Sequence, residues 1–147
     1  MSLNVLDIKS LIPQREPFLF VDKILECSNR KIMTSLLLTG KEDFFRGHFP
    51  GNPIMPGVLL QEAIFQSGAA LLTSSHSGQG IGVVTRVQNA KFKNMVKPGD
   101  TLIIEVELLE QLANASFMKG NIKVDNKVVV TMEFAVAVVE EKSSGST

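Results

Sequence analysis

The 147-residue chain has no tryptophan, no tyrosine, one cysteine and two histidines. The lone Cys27 excludes an intrachain disulfide and, with so few histidines, a zinc site built from nitrogen and sulfur ligands. The formal net charge is zero and no aromatic-plus-basic stacking surface is present, so we expect no nucleic-acid partner. A basic-then-apolar leader and an apolar run of about 18 residues are missing too, which predicts a cytoplasmic protein with no membrane partner.

Motifs for several reaction classes are also missing. There is no Gly-x-Ser-x-Gly nucleophile elbow, and Cys27 has no neighbouring base in the sequence. Glycine-rich phosphate-binding motifs and nucleotide fingerprints are absent as well. We therefore expect no cofactor and no metal ion.

The length fits one domain, which we place at residues 1–141, followed by a flexible polar tail at 142–147. A helical turn is predicted at 7–12, a long loop at 40–56 and a long helix at 57–73. Strands are predicted at 18–26, 31–39, 81–92, 101–110, 115–124 and 128–139. Because the long helix is apolar around most of its circumference, it should be buried. The sequence thus predicts an α+β fold in which a curved antiparallel sheet wraps one helix.

The junction between the long loop and the long helix carries the densest chemical signal. His48 lies in the loop, three prolines and two glycines follow it, and Glu62 is the only acid in the helix. An imidazole changes charge near neutrality, and burial raises the pKa of a carboxyl group toward that range. His48 and Glu62 are therefore suited to proton transfer. Gln66, one turn after Glu62, is predicted to hold its carboxyl group by a hydrogen bond.

Non-catalytic interpretations compete with this one. A loop histidine is more often structural, and a buried acid can simply be hydrogen-bonded within the core. Turn geometry alone is a sufficient reason for Gly51 and Gly57.

Taken together, these residues resemble the beta-hydroxyacyl-(acyl carrier protein) dehydratases of bacterial type II fatty-acid synthesis. The likeness runs from about Ile8 to Ala137, and one departure is Pro13-Gln14-Arg15-Glu16-Pro17, where family members commonly read Pro-His-Arg-Tyr-Pro. Its motifs are Pro17-Phe18-Leu19-Phe20-Val21-Asp22, Gly47-His48-Phe49-Pro50-Gly51, Met55-Pro56-Gly57-Val58-Leu59, Glu62-Ala63 with Gln66, Lys91-Phe92-Lys93 and Val96-Lys97-Pro98-Gly99-Asp100.

The resemblance implies a hot-dog fold, in which the sheet wraps one long central helix. It also implies a homodimer with a continuous sheet and shared active sites, and possible assembly into a trimer of dimers. The catalytic histidine of the family falls on His48 and the catalytic acid on Glu62, contributed by opposite subunits. In the branch that also isomerises the double bond an aspartate usually replaces this acid, so Glu62 favours dehydration alone.

The implied activity is removal of water from (3R)-hydroxyacyl-acyl carrier protein to give the trans-2-enoyl product. His48 would act as base and Glu62 as acid, and the free N–H groups of Gly57 and Val58 would hold the thioester carbonyl oxygen. Gln66 and Gly51 would support the site. We expect the substrate tunnel to be lined by Phe20, Phe44, Ile54 and Phe92, and the acidic carrier protein to dock on Lys91, Lys93 and Lys97. A solvated sheet edge is the alternative interpretation of these lysines.

Two other functions compete with dehydration. A thioesterase of the same architecture would use an acid or Asn to activate water, and the His-Phe-Pro-Gly run argues against it. A non-catalytic acyl-binding subunit would not need both proton-transfer residues, which this chain retains.

Overall fold

The computed structural model describes residues 7–76 and 81–139, so the predicted tail at 142–147 lies outside the described residues. Within that part of the chain no helix is both long and apolar enough to cross a membrane. Two short helices, one long helix and six strands follow in the order α1 Ile8–Leu11, β1 Lys23–Cys27, β2 Lys31–Leu37, α2 Phe44–Gly47, α3 Gly57–His76, β3 Ile81–Phe92, β4 Thr101–Leu112, β5 Ala115–Val124 and β6 Lys127–Val139.

The six strands form one antiparallel sheet in the order β1-β2-β4-β5-β6-β3. The tight turn between β5 and β6 is formed by Asp125 and Asn126, both with positive φ (50° and 66°). Such a two-residue turn matches the twist of the strands that it joins. The order leaves β1 and β3 as the two edges of the sheet, and β3 is separated by the whole sheet from β1.

Helix α3 packs on one face of the sheet, against β2, β4 and β5. Its residues Ala63, Ile64, Ala70 and Leu71 are fully buried, as are the facing side chains of β4. Gly120 of β5 makes close packing possible, because a Cβ atom there would lie 2.5 Å from Cγ2 of Ile64. The chain therefore has the predicted α+β hot-dog architecture, in which the sheet wraps a buried helix.

The strand predicted at 18–26 begins only at Lys23, which corrects the sequence prediction. The reason is that the carboxamide of Gln66 bonds to this segment. Its oxygen accepts from the backbone N–H of Phe20 (2.8 Å), and its nitrogen donates to the carbonyl of Phe18 (2.9 Å). Residues 18–20 are thus held by helix α3 instead of by a neighbouring strand. Smaller differences are that α2 interrupts the predicted loop at 40–56 and that α3 continues to His76. In addition, β2 ends at Leu37 where residue 39 was predicted, and β4 continues to Leu112 where residue 110 was predicted.

Candidate active site

His48 follows α2 in a loop that closes on itself. The N–H of Ile54 donates to the carbonyl of His48 (2.8 Å), and inside this pair Phe49 and Asn52 exchange two backbone hydrogen bonds (3.0 and 2.9 Å). Gly51 lies at the tip with φ +76°, a conformation that favours glycine. The N–H of Met55 then donates to the carbonyl of Val96 (2.9 Å), which ties the loop to the body of the protein.

The same loop fixes the orientation of the His48 ring, which is half-buried. Nδ1 lies 2.8 Å from the carbonyl oxygen of Ile54. Because a carbonyl oxygen can only accept, Nδ1 must carry a proton, and in the neutral ring Nε2 holds the free lone pair. The ring also stacks on Phe49, with centroids 4.1 Å apart. Nε2 is therefore the atom able to take a proton.

Glu62 lies on the second turn of α3, where its side chain is half-buried. Burial raises the pKa of this carboxyl group, and a hydrogen bond from Gln66 offsets part of the rise. That bond joins Gln66 Nε2 to Glu62 Oε2 (3.0 Å), as the spacing of four residues predicts. A carboxyl group with a raised pKa keeps its proton to higher pH and can therefore act as an acid.

The first turn of α3 offers two free donors. Leu59 and Leu60 donate to the carbonyl of Pro56 (3.0 and 3.1 Å), whereas the N–H groups of Gly57 and Val58 have no acceptor among the described residues. The positive end of the helix dipole adds to their affinity for a negatively charged oxygen. Phe92 packs against Gly57 so closely that a Cβ atom there would lie 3.0 Å from the ring.

The residues proposed for the tunnel fall into two groups. Phe20 and Phe44 line a cavity of about 590 Å³, together with Phe18, Leu36 and Leu59 among others. Ile54 and Phe92 do not belong to its lining. The carbonyl of Ile54 instead contacts Nδ1 of His48, and the ring of Phe92 packs on Gly57. His48 and Glu62 do not line it either. Within the described residues no hydrogen bond or ion pair joins His48 to Glu62.

The three lysines proposed for carrier docking are all exposed. No ion pair involves Lys91, Lys93 or Lys97 in the part of the chain that the structure describes. Lys91 and Lys93 flank Phe92, the residue that packs on the start of α3.

The family model of the FabA-like domain matches residues 12–133, a span that includes His48, Glu62 and Gln66. The chain belongs to the FabA-like family. One curated relative of this FabA-like chain, from Caulobacter vibrioides, is 42% identical over 143 residues, which cover 94% of this chain and 89% of the relative. Another, from Enterococcus faecalis, is 41% identical over 135 residues, covering 90% and 96%. Both are named 3-hydroxyacyl-(acyl-carrier-protein) dehydratase FabZ.

A solved structure supports the FabA-like fold as well. The dehydratase heterocomplex ApeI:P from Xenorhabdus doucetiae superposes with a TM-score of 0.80, covering 92% of this chain and 93% of that chain. The sequences are only 15% identical, so this similarity shows the shared hot-dog fold.

Sequence reasoning missed three backbone groups that hold side chains of the candidate site. They are the carbonyl of Ile54, which orients His48, and the carbonyl of Phe18 and N–H of Phe20, which orient Gln66. Only the spacing of Glu62 and Gln66 gave a local signal. The other contacts depend on how the loops close, and no residue type indicates them.

Proposed function

We propose that this protein is a 3-hydroxyacyl-(acyl-carrier-protein) dehydratase, which removes water from (3R)-hydroxyacyl-acyl carrier protein and gives the trans-2-enoyl product in fatty-acid biosynthesis. The names of relatives about 40% identical over nine-tenths of the chain support this activity. The observation that carries it is the complementary state of two side chains. In the neutral ring of His48 the carbonyl of Ile54 holds the proton on Nδ1 and leaves Nε2 as an acceptor, while burial raises the pKa of Glu62 and so favours its protonated form.

These two groups can perform the two proton transfers of the reaction. Nε2 of His48 takes the proton from the α-carbon, and the electrons of that C–H bond form the new double bond. The β-carbon–oxygen bond breaks as Glu62 gives its proton to the leaving hydroxyl group, which departs as water. The negative charge that develops on the thioester oxygen is held by the N–H groups of Gly57 and Val58. Transfer of the proton from His48 to Glu62 restores the starting state.

A homodimer with shared active sites belongs to this proposal. Strand β3 is twelve residues long and is an unpaired edge of the sheet in the single chain, with Val83 and Val87 substantially exposed (47% and 41%). Long edges with exposed apolar residues are usually covered in native proteins. Pairing of β3 with a second copy would continue the sheet, and His48 of one subunit would meet Glu62 of the other. The family resemblance favours three such dimers in one assembly.

We propose docking of the acidic carrier protein at Lys91, Lys93 and Lys97. Their support is exposure, the lack of ion pairs within the described residues, and the contact of Phe92 with Gly57. Charge steering of this kind is weakened by salt. Raising the ionic strength should therefore lower kcat/KM for a carrier-bound substrate more than for a small uncharged thioester.

The reverse reaction gives a direct test of the activity. Hydration of a trans-2-enoyl thioester removes its ultraviolet absorbance, and the wild-type protein should catalyse this loss. The variants His48→Ala and Glu62→Gln should each reduce the rate by about 100- to 10,000-fold, the usual contribution of a general base or acid. Glu110→Gln makes the same change at an exposed acid of β4 and should leave the rate unaltered.

Three outcomes would contradict the proposal. Release of free thiol without hydration would indicate a thioesterase. Tight binding of acyl carrier protein with no turnover would indicate a non-catalytic subunit. Full activity of both site variants, with circular dichroism showing native structure, would remove His48 and Glu62 from the mechanism.

A further inference from the structure

The Gln66 side chain uses both N–H donors of its amide and one acceptor site of its oxygen. It is only 1% exposed. Oε1 accepts from the N–H of Phe20 (2.8 Å), and Nε2 donates to the carbonyl of Phe18 (2.9 Å) and to Oε2 of Glu62 (3.0 Å). Two of the three partners are backbone atoms of the segment that precedes β1.

Those backbone partners determine which way the amide faces. A backbone N–H can only donate and a carbonyl can only accept, so Oε1 must face Phe20 and Nε2 must face Phe18. If the amide were rotated by 180°, Nε2 would face the N–H of Phe20 and Oε1 would face the carbonyl of Phe18. Neither pair can form a hydrogen bond, and unpaired polar groups in the core are costly. Gln66 therefore always presents an N–H group to Glu62.

This orientation has a consequence for the proton of Glu62. Oε2 faces a donor and must accept, whether the carboxyl group is ionised or neutral. In a neutral carboxyl group the carbonyl oxygen is a better acceptor than the hydroxyl oxygen, so the bond from Gln66 favours Oε2 as the carbonyl oxygen. Oε1 of Glu62 has no hydrogen-bond partner among the described residues, and is the oxygen left to carry the proton.

We propose that Gln66 is a positioning residue that confines the acidic proton of Glu62 to Oε1, and that the backbone of residues 18–20 sets the orientation of Gln66. This inference rests on the proposed function, because it names the oxygen that protonates the leaving hydroxyl group. It extends the candidate site to a backbone segment that makes no direct contact with the reacting atoms. Phe18 and Phe20 also line the cavity of about 590 Å³, so this segment connects a cavity wall to Glu62.

The test compares two substitutions on α3 that each remove buried hydrogen bonds. Gln66→Met keeps a similar volume and removes the donor to Glu62. Ser67→Ala removes the contacts of a neighbouring buried hydroxyl with Thr34 (2.8 Å) and with the carbonyl of Ala63 (2.9 Å), none of which involves Glu62. Titration of Glu62 is followed by carbon-13 NMR of protein labelled at the glutamate carboxyl carbons, with Glu62→Gln assigning the signal.

In Gln66→Met the Glu62 signal should titrate at higher pH than in the wild type, because the bond that lowers its pKa is lost. The pH at which kcat/KM falls because Glu62 loses its proton should also be higher in this variant. We expect kcat to fall about 10-fold or more through loss of orientation, with a smaller change in KM. Ser67→Ala should lower stability and leave the Glu62 titration unchanged.

Equal titration of Glu62 in Gln66→Met and the wild type would overturn the inference, as would an equal shift in Ser67→Ala. If Gln66→Met does not fold, Gln66→Glu serves instead, since its carboxyl group still accepts from Phe20. Glu62 should then titrate at higher pH beside a second acid, and an unchanged titration would again overturn the inference. The NMR measurement does not require turnover, so an inactive wild type would contradict the proposed function alone.

Discussion

Replacing Gly120 by alanine should disturb the contact between the sheet and the helix that carries Glu62. The added Cβ atom would lie 2.5 Å from Cγ2 of Ile64, 3.5 Å from the carbonyl oxygen of Glu105 and 3.5 Å from Val106. Carbon atoms pack best at about 3.5–4.0 Å, so the helix side must move by about 1 Å. Ile64 is fully buried and comes two residues after Glu62, which leaves it little room to move without displacing the acid.

Overpacking of this kind costs about 1–3 kcal/mol. A Gly-to-Ala change also reduces the entropy of the unfolded chain, which returns about 0.4–1 kcal/mol. Because the added atom meets a fully buried side chain at 2.5 Å, the overpacking cost should lie in the upper part of its range, about 2–3 kcal/mol. The net loss should therefore be about 1–2.6 kcal/mol, or a fall in Tm of about 2–10 °C for a protein of this size. Activity should fall as well, because displacement of a catalytic group by about 1 Å can reduce a rate by about 100-fold.

Urea unfolding followed by far-ultraviolet circular dichroism measures the loss, since the chain has no tryptophan for fluorescence. Gly68→Ala is the matched control on α3. Its Cβ atom would meet Phe134 at 3.1 Å and the flexible end of Met118 at 3.3 Å, so it should lose less stability.

A double-mutant cycle tests whether Ile64 is the cause. Ile64→Ala alone should cost about 2–5 kcal/mol. In the double variant the new methyl group occupies part of the space left by Ile64, so the combined loss should be smaller than the sum by about 1–2 kcal/mol. A cycle additive to within about 0.5 kcal/mol, or a Gly120→Ala variant as stable as the wild type, would refute the reasoning.

Two further predictions concern the candidate site and its assembly. Because burial raises the pKa of Glu62 above its ordinary value of 4.5, its contribution to stability is greatest at low pH and declines as pH rises through the folded-state value. Glu62→Gln should thus have a higher Tm than the wild type at pH 8, with the difference closing near pH 4, and an equal Tm at both values would contradict this. Val87→Lys places a charge on the exposed face of edge strand β3, where a single chain tolerates it but a paired edge does not. Light scattering should show a monomer without turnover, and an active dimer would exclude pairing through this strand.

Much of the fold could be predicted from the sequence where signals are local. The bounds of β3 and β5 coincide with the predicted 81–92 and 115–124, because turn residues mark their ends. The segment 18–22 could not be predicted in the same way. Its apolar residues favour a strand, but the carbonyl of Phe18 and the N–H of Phe20 bond to the side chain of Gln66, 46 residues away from Phe20.

In the candidate site, too, some residues could be predicted from local sequence signals and others could not. His48, Glu62 and Gln66 stand out because their residue types are unusual for their surroundings. The tunnel prediction used aromatic and apolar residues near these motifs. Residues of these types can line a cavity, pack in the core or limit the space beside a helix, so residue type alone does not distinguish these roles. Phe92 illustrates this, because it is half-exposed yet limits the space beside Gly57, which depends on the distance between β3 and α3.

The single chain prepares each half of the proposed proton-transfer pair separately. The loop from His48 to Ile54 supplies all the polar contacts that orient the imidazole, and α3 with residues 18–20 supplies those that orient Glu62. No described hydrogen bond connects the two sets. Assembly would therefore only have to bring the oriented imidazole of His48 close to the oriented carboxyl group of Glu62, without having to orient either group. A rigid loop and a buried helix suit this division, because positions fixed before association need not be ordered when the subunits meet.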